Sequence, residues 1–113
     1  MARSFPHPII ALARVYIADK RHWTQGRLAA RKNGEDAHPH ADHAWRWCAS
    51  GALIRAGFDL THNLDKAYKL RDAACAVLLP DEQRPAAAIE NINDDPQGHR
   101  NILKLFDGYL ARA

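Results

Sequence analysis

The chain has 113 residues, enough for one domain with one hydrophobic core but too few for two. Its 16 Lys and Arg against 13 Asp and Glu give a formal net charge of +3 at pH 7. Because the basic residues are interleaved with acidic ones, no basic block of the kind expected in a dedicated nucleic-acid binder is present. We therefore predict a single helical domain over residues 1–113.

Alanine dominates the apolar residues, with 21 positions, whereas valine occupies only 2. Alanine is the best helix former and strands favour β-branched residues, so the composition argues against an all-β fold. The 3 Trp, 3 Tyr and 3 Phe must supply much of the packing volume. The composition predicts a mainly α fold, a compact bundle of about four helices with a small irregular or hairpin segment near residues 27–40.

The first predicted helix runs from Pro8 to about Asp19, since proline is favoured at the first helical position. Its apolar stretch of residues 8–18 is interrupted by Arg14 and lacks a signal-peptide cleavage site. It is also shorter than the roughly 20 residues that cross a bilayer. The two cysteines form no C-x-x-C pair, which favours a reducing compartment. We expect a cytoplasmic protein with no membrane partner.

The segment after this helix carries turn signals. A short turn containing Trp23 should end near Gly26. Asn33-Gly34 is typical of a type I′ turn between residues 28–32 and 35–37, although the flanking residues are poor strand formers. A small hairpin or an ordered loop is predicted here.

A central helix is predicted from Asp42, as its cap, through Ala56, with Gly57 at its end. It carries a strip of small residues that would let another helix approach closely. The strip consists of Cys48, Ala49, Ala52 and Ala56.

The C-terminal half contains three further helical patterns. Thr61 or Asn63 can cap the first of them, and Pro80 ends it. A short helical piece covers residues 85–91. The last helix is predicted to follow an Asp cap in segment 93–95, with Pro96 at its first position.

Three short motifs carry a family resemblance. They are W-x-Q-G at residues 23–26, W-C-A-x-G-A-L at residues 47–53 and N-D at residues 93–94. In these motifs, ahead of a C-terminal amphipathic helix, the chain resembles a family of small proteins of unknown function, domain-of-unknown-function family 6197, found in bacteria, notably actinobacteria, and their phages. The resemblance implies a compact single domain and no particular activity. The chain departs from the family pattern between Ala37 and His43, where a variable loop is expected.

That departing segment is rich in histidine and suggests a metal site. Its H-x-H-x-D-H string is similar to the zinc-binding string of metallo-β-lactamase-type hydrolases, but the buried strand that precedes the string in that fold is missing here. A simpler alternative is a zinc, nickel or copper site on a loop. We favour a polar surface loop and no cofactor, and keep the metal site as an alternative. Its candidate ligands are His38, His40, Asp42 and His43.

Catalytic candidates are few. Cys48 would act as a nucleophile if His43, His62 or His99 served as its base, but its small apolar neighbours favour a buried structural thiol. Asp94, with its neighbour Asn93, would position a ligand or accept a proton, whereas capping of the last helix is the favoured role.

The tryptophans support the leading hypothesis about function. Trp23, Trp45 and Trp47 are suited to packing, but one exposed indole would be a strong contact for a partner protein. We therefore expect a small non-enzymatic protein that acts by protein–protein interaction, of phage or mobile-element origin. The alternatives are a metal-binding protein or small hydrolase that uses residues 38–43 or Cys48, and a weak nucleic-acid binder. The last alternative would use the basic residues Arg14, Lys20, Arg21, Arg27, Arg31 and Lys32.

Overall fold

Helices account for most of the computed structural model, which describes residues 6–112. The prediction of a mainly α fold is confirmed. Within the described residues the α-helices are α1 (Pro6–Tyr16), α2 (Ala49–Thr61), α3 (Leu64–Leu78), α4 (Pro85–Asp94) and α5 (Gly98–Arg112). A 3₁₀ turn, Lys20–His22, and two short strands, β1 (Ala29–Ala30) and β2 (Arg46–Trp47), lie between α1 and α2.

Helix α2 lies at the centre of the fold. The small-residue strip predicted on this helix is buried, as expected for a surface against which other helices pack. Apolar side chains of all five α-helices join it in one cluster. The largest of them include Ile9, Ile10, Leu53, Ile89, Ile102 and Phe106.

Two glycines in α2 allow other chain segments to approach its backbone. A Cβ on Gly51 would lie 1.9 Å from the carbonyl oxygen of Leu28, and a Cβ on Gly57 would lie 3.0 Å from Cα of Ala67 in α3. The prediction that Gly57 ends this helix is wrong, because the helix continues to Thr61 and is capped by His62, which adopts a left-handed φ of 54°. Gly57 is instead the small residue that lets α2 and α3 pack closely.

The start of α2 also differs from the prediction. Cys48, not Asp42, is the N-cap residue, and its Sγ accepts a hydrogen bond from Gly51 N–H at 3.3 Å. The physical reason lies in the sheet: β2 pairs with β1 in antiparallel register and is therefore extended up to Trp47. A helix cannot begin until this pairing ends.

The predicted turn at Asn33-Gly34 is present, but its type differs from the prediction. Gly34 has a φ of 95°, but Asn33 does not have a positive φ, so the turn is not type I′. It is closed by Gly34 N–H donating to the carbonyl of Arg31 at 3.0 Å. An isolated bridge joins Ala30 and Asp36, whereas the main partner of β1 is the more distant β2.

The C-terminal half agrees with the predicted caps in part. Asn63 caps α3 by accepting from Lys66 N–H at 3.0 Å. The predicted Asp cap of the last helix is wrong, because α5 begins only at Gly98 and residues 93–94 are the last turn of α4. A Cβ on Gly98 would lie 1.9 Å from the carbonyl oxygen of Asn93, so the connection is tight. No helix in the described part of the chain is long and apolar enough to cross a membrane.

Candidate functional site

Residues from all three family motifs meet at Asn93, whose side chain is fully buried. Its Oδ1 accepts hydrogen bonds from the indole N–H of Trp23 at 2.7 Å and from the backbone N–H of Ala49 at 2.9 Å. Its Nδ2 donates to the carbonyl of Thr24 at 3.0 Å. Asn93 therefore connects α4 to the loop after the 3₁₀ turn and to the first residue of α2. We call Trp23, Thr24, Ala49 and Asn93 the Asn93 hub.

The loop of residues 24–28 is tied to α4 by further bonds. Asp94 Oδ1 accepts from Gly26 N–H at 3.0 Å, and Gln25 Nε2 donates to the carbonyls of Asn93 and Asp95 at 3.1 and 2.8 Å. Gly26 has a φ of 74°, which favours glycine at this position. The predicted capping role of Asn93 and Asp94 is thus replaced by a connection across about 70 residues of sequence.

A cavity of about 210 Å³ lies beside the Asn93 hub. Its walls are the loop of residues 26–28, Cys48 and one face of α4. Glu90 and Asp94, one helical turn apart, add negative charge to this space, while the guanidinium of Arg27 is held by Asp36 at 2.9 Å. The cavity is large enough for several water molecules.

Cys48 borders this cavity as a protonated thiol. Burial is the main cause that raises the pKa of this thiol, hydrogen bonds from backbone N–H groups lower it, and the charges of Glu90 and Asp94 make a smaller contribution that raises it, so that the pKa is about 11. At neutral pH very little thiolate is present, and the thiolate is the reactive form of cysteine. The chemistry of the site therefore suits a structural cap better than a nucleophile.

The three histidines considered as a base for Cys48 lie in different settings. His62 is at the opposite end of α2, a helix of 13 residues and hence about 20 Å long. A ring nitrogen of His99, Nε2, is hydrogen-bonded to the carbonyl of Ile17 at 2.7 Å. His43 is exposed in a turn before β2. A catalytic role for Cys48, His43 or Asp94 stays a prediction.

The histidine string forms an irregular segment on the side of α2. The rings of His38 and His40 lie 5.7 Å apart, and His40 also contacts Phe58 at 5.3 Å. Asp42 and His43 follow in exposed turns. Among residues 6–112 no group of three or more His, Cys, Asp or Glu side chains is arranged to hold a metal ion. The metal site stays a prediction for these four residues.

All three tryptophans are half-buried, and two of them direct their indole N–H groups inward. Trp23 and Trp47 both pack against the hydrophobic core. The indole N–H of Trp23 donates to Asn93, and that of Trp47 donates to the carbonyl of Pro39 at 3.0 Å. The ring of Trp47 also stacks on Tyr16 with centroids 5.7 Å apart. These contacts give both indoles a structural role.

Trp45 lies in a different environment, at a basic surface. The guanidinium carbon of Arg46 lies 4.6 Å from the centroid of its indole ring, and Nζ of Lys32 lies 5.6 Å from it. The edge of the His22 ring contacts the same indole at 4.5 Å between centroids. In the described part of the chain, the indole N–H of Trp45 has no hydrogen-bond partner and is not buried. We call Arg31, Lys32, Trp45 and Arg46 the Trp45 surface.

The backbone around the Trp45 surface is held in place. Trp45 N–H donates to the carbonyl of Ala30 at 2.8 Å, and a ring nitrogen of His22, Nδ1, lies 2.8 Å from the carbonyl oxygen of Trp45. Nη1 of Arg46 donates to the carbonyl of Arg31 at 3.1 Å. The backbone of Trp45 and the guanidinium of Arg46 are thus held by hydrogen bonds within the fold.

Residues 3–112 match the Family of unknown function (DUF6197), and the chain therefore belongs to that family. The resemblance seen in the sequence is confirmed. No curated protein and no solved structure matches the chain.

Proposed function

We propose that this protein is a non-enzymatic interaction module that binds a partner protein through the Trp45 surface. The observation that carries the proposal is the contrast among its tryptophans. Trp23 and Trp47 direct their indole N–H groups to internal acceptors, whereas the indole N–H of Trp45 has no acceptor within residues 6–112 and is accessible.

The physical properties of this indole suit it to binding. Tryptophan gives a large contact area at a low cost in conformational entropy, and its N–H is a specific donor for an acceptor that a partner brings to the edge of the ring. The hydrogen bonds around Trp45 hold its backbone in place before binding. Such preorganisation favours affinity because less freedom is lost when the complex forms.

The state of the cysteines supports a non-enzymatic role and a cytoplasmic location. Cys48 and Cys75 are both free and buried, and burial raises the pKa of both thiols. Unpaired buried thiols suit a reducing compartment and have little nucleophilic character. The cytoplasmic location, and a bacterial, phage or mobile-element origin suggested by the family resemblance, are parts of this proposal.

A capture experiment with a matched control tests the proposal. Tagged wild-type protein, Trp45→Ala and Tyr68→Ala are each used to capture partners from the cells that naturally produce the protein, with identification by mass spectrometry. Tyr68 is a suitable control because it is an exposed aromatic residue with Arg71 over its ring at 5.3 Å, but lies on α3. Circular dichroism and thermal melting verify that each variant is folded.

The decisive step is binding of the purified partner, measured by calorimetry. We expect Trp45→Ala to weaken binding about 30-fold, a loss of about 2 kcal/mol typical of a central tryptophan. Tyr68→Ala should bind like the wild type. Equal affinity of the folded Trp45→Ala variant and the wild type would refute the proposal, as would the absence of any partner captured in stoichiometric amount.

A further inference from the structure

We propose that the Trp45 surface recognises an acidic peptide segment, whose carboxylates pair with the cations around the indole. This inference rests on the proposed function of that surface and adds the chemistry of the partner. The supporting observations are the positive charges of Arg31, Lys32 and Arg46 and the N–H donors of Trp45 and Arg46 that have no acidic partner within residues 6–112.

The cations of the Trp45 surface lack salt bridges. Elsewhere in residues 6–112, five of the eight arginines pair with a carboxylate within 3.1 Å. Arg31, Lys32 and Arg46 have no such partner in the same part of the chain. The contacts of Arg46 are two backbone carbonyls and the indole face. This guanidinium is therefore fixed in position without being neutralised.

The donors of the Trp45 surface match a carboxylate. Arg46 uses Nη1 for the carbonyls of Arg31 and Lys32, while its Nε and Nη2 have no partner within residues 6–112. A guanidinium has five N–H donors and no acceptor, and its planar fork fits a carboxylate. The indole N–H of Trp45 and the ammonium of Lys32 add further donors. Such a donor-only surface requires a ligand rich in acceptors.

The geometry favours a peptide over a nucleic acid. Bases of single-stranded nucleic acid bind proteins largely by stacking on exposed aromatic faces, but both Arg46 and Lys32 lie over the indole of Trp45. A local cluster of three cations suits a short acidic stretch.

Binding of simple probes tests the inference directly. One probe is a short capped peptide of alternating Glu and Ser, and its control contains Gln in place of Glu. A third probe is single-stranded oligo(dT) of similar length. We would follow the Nε1–H resonance of Trp45 by NMR, at low salt and at increasing salt. The Glu peptide should shift this resonance in a saturable, salt-sensitive manner, and the Gln peptide should not.

Charge-matched variants show whether the site is specific. Arg46→Gln and Lys32→Gln should each lower the affinity for the Glu peptide, with a loss of about tenfold for Arg46→Gln because a charge-assisted hydrogen-bond pair is removed. Arg100→Gln removes the same charge from an exposed position on α5 and should leave the affinity unchanged. The NMR spectra of the variants verify that each one is folded.

Three results would overturn the inference. They are equal binding of the Glu and Gln peptides, equal losses for Arg46→Gln and Arg100→Gln, and tighter binding of oligo(dT) than of the Glu peptide. The captured partner separates this failure from that of the proposed function. If its binding depends on Trp45 but neither on Arg46 nor on salt, the acidic partner is refuted while the interaction surface is retained.

Discussion

Replacement of Asn93 by alanine is the most informative perturbation of this fold. The substitution removes the acceptor for Trp23 Nε1–H and for Ala49 N–H, and the donor to the Thr24 carbonyl. Each polar group left without a partner in the interior costs about 1–3 kcal/mol. With partial relaxation, we expect the free energy of unfolding to fall by about 4 kcal/mol, a large part of the stability of a domain of this size.

The loss is measured by urea unfolding, followed by tryptophan fluorescence and circular dichroism. Asn91→Ala is the matched control because Asn91 is exposed on the same helix. Its effect should stay within about 0.5 kcal/mol. If Asn93→Ala costs less than about 1 kcal/mol, the hub does not stabilise the fold as argued.

A double-mutant cycle isolates one bond of the hub. Trp23→Phe removes the indole N–H that donates to Asn93 at 2.7 Å while leaving an aromatic ring in place. In the Trp23→Phe background, Asn93→Ala should cost about 1 kcal/mol less than in the wild type, because the orphaned donor is no longer present. Strict additivity of the two substitutions would show that this bond does not couple α4 to the motif loop.

Two further predictions concern α2 and the buried thiols. Gly51→Ala should lower the free energy of unfolding by about 3 kcal/mol, because its Cβ would lie 1.9 Å from the Leu28 carbonyl oxygen. Gly108→Ala in α5 is the control. Its Cβ would have no neighbour closer than 3.6 Å, so this substitution should raise the free energy of unfolding by about 0.5–1 kcal/mol. Burial raises the pKa of Cys48 to about 11 and that of Cys75 to about 12, from 9.0. The unfolded thiols therefore ionise first as the pH rises above 9, and stability should fall by about 1.4 kcal/mol per pH unit for each thiol up to the folded pKa. Urea unfolding at pH 8 to 10.5 should show a shallower fall for Cys75→Ala than for the wild type; equal slopes would contradict this origin.

The elements that were predicted correctly depend on local signals. The cap at Asn63 and the stop at Pro80 each act on backbone groups only a few residues away, and the structure contains both as predicted. The predicted helix starts were wrong where pairing with a distant segment competed with these local capping signals. Asp42 resembled a helix cap, but the pairing of β2 with β1 delays the helix until Cys48.

The candidate sites show the same division. The motifs drew attention to Trp23, Cys48 and Asn93, but the capping role predicted for Asn93 was wrong because its true partners lie 44 to 70 residues away. No sequence pattern distinguished Trp45 from Trp47. All three indoles are half-buried, and only the tertiary contacts separate them: the N–H of Trp47 donates to the carbonyl of Pro39, whereas that of Trp45 has no acceptor within residues 6–112.

The amino-acid sequence by itself determined the helical class, the family, both ends of α3 and the start of α4, because propensities and caps are short-range effects. The tertiary structure alone decided that Asn93 joins three motifs, that Gly51 and Gly57 serve close packing, and that the indole N–H of Trp45 has no acceptor within residues 6–112. These features depend on which distant segments meet, and that is set by the burial of one shared core.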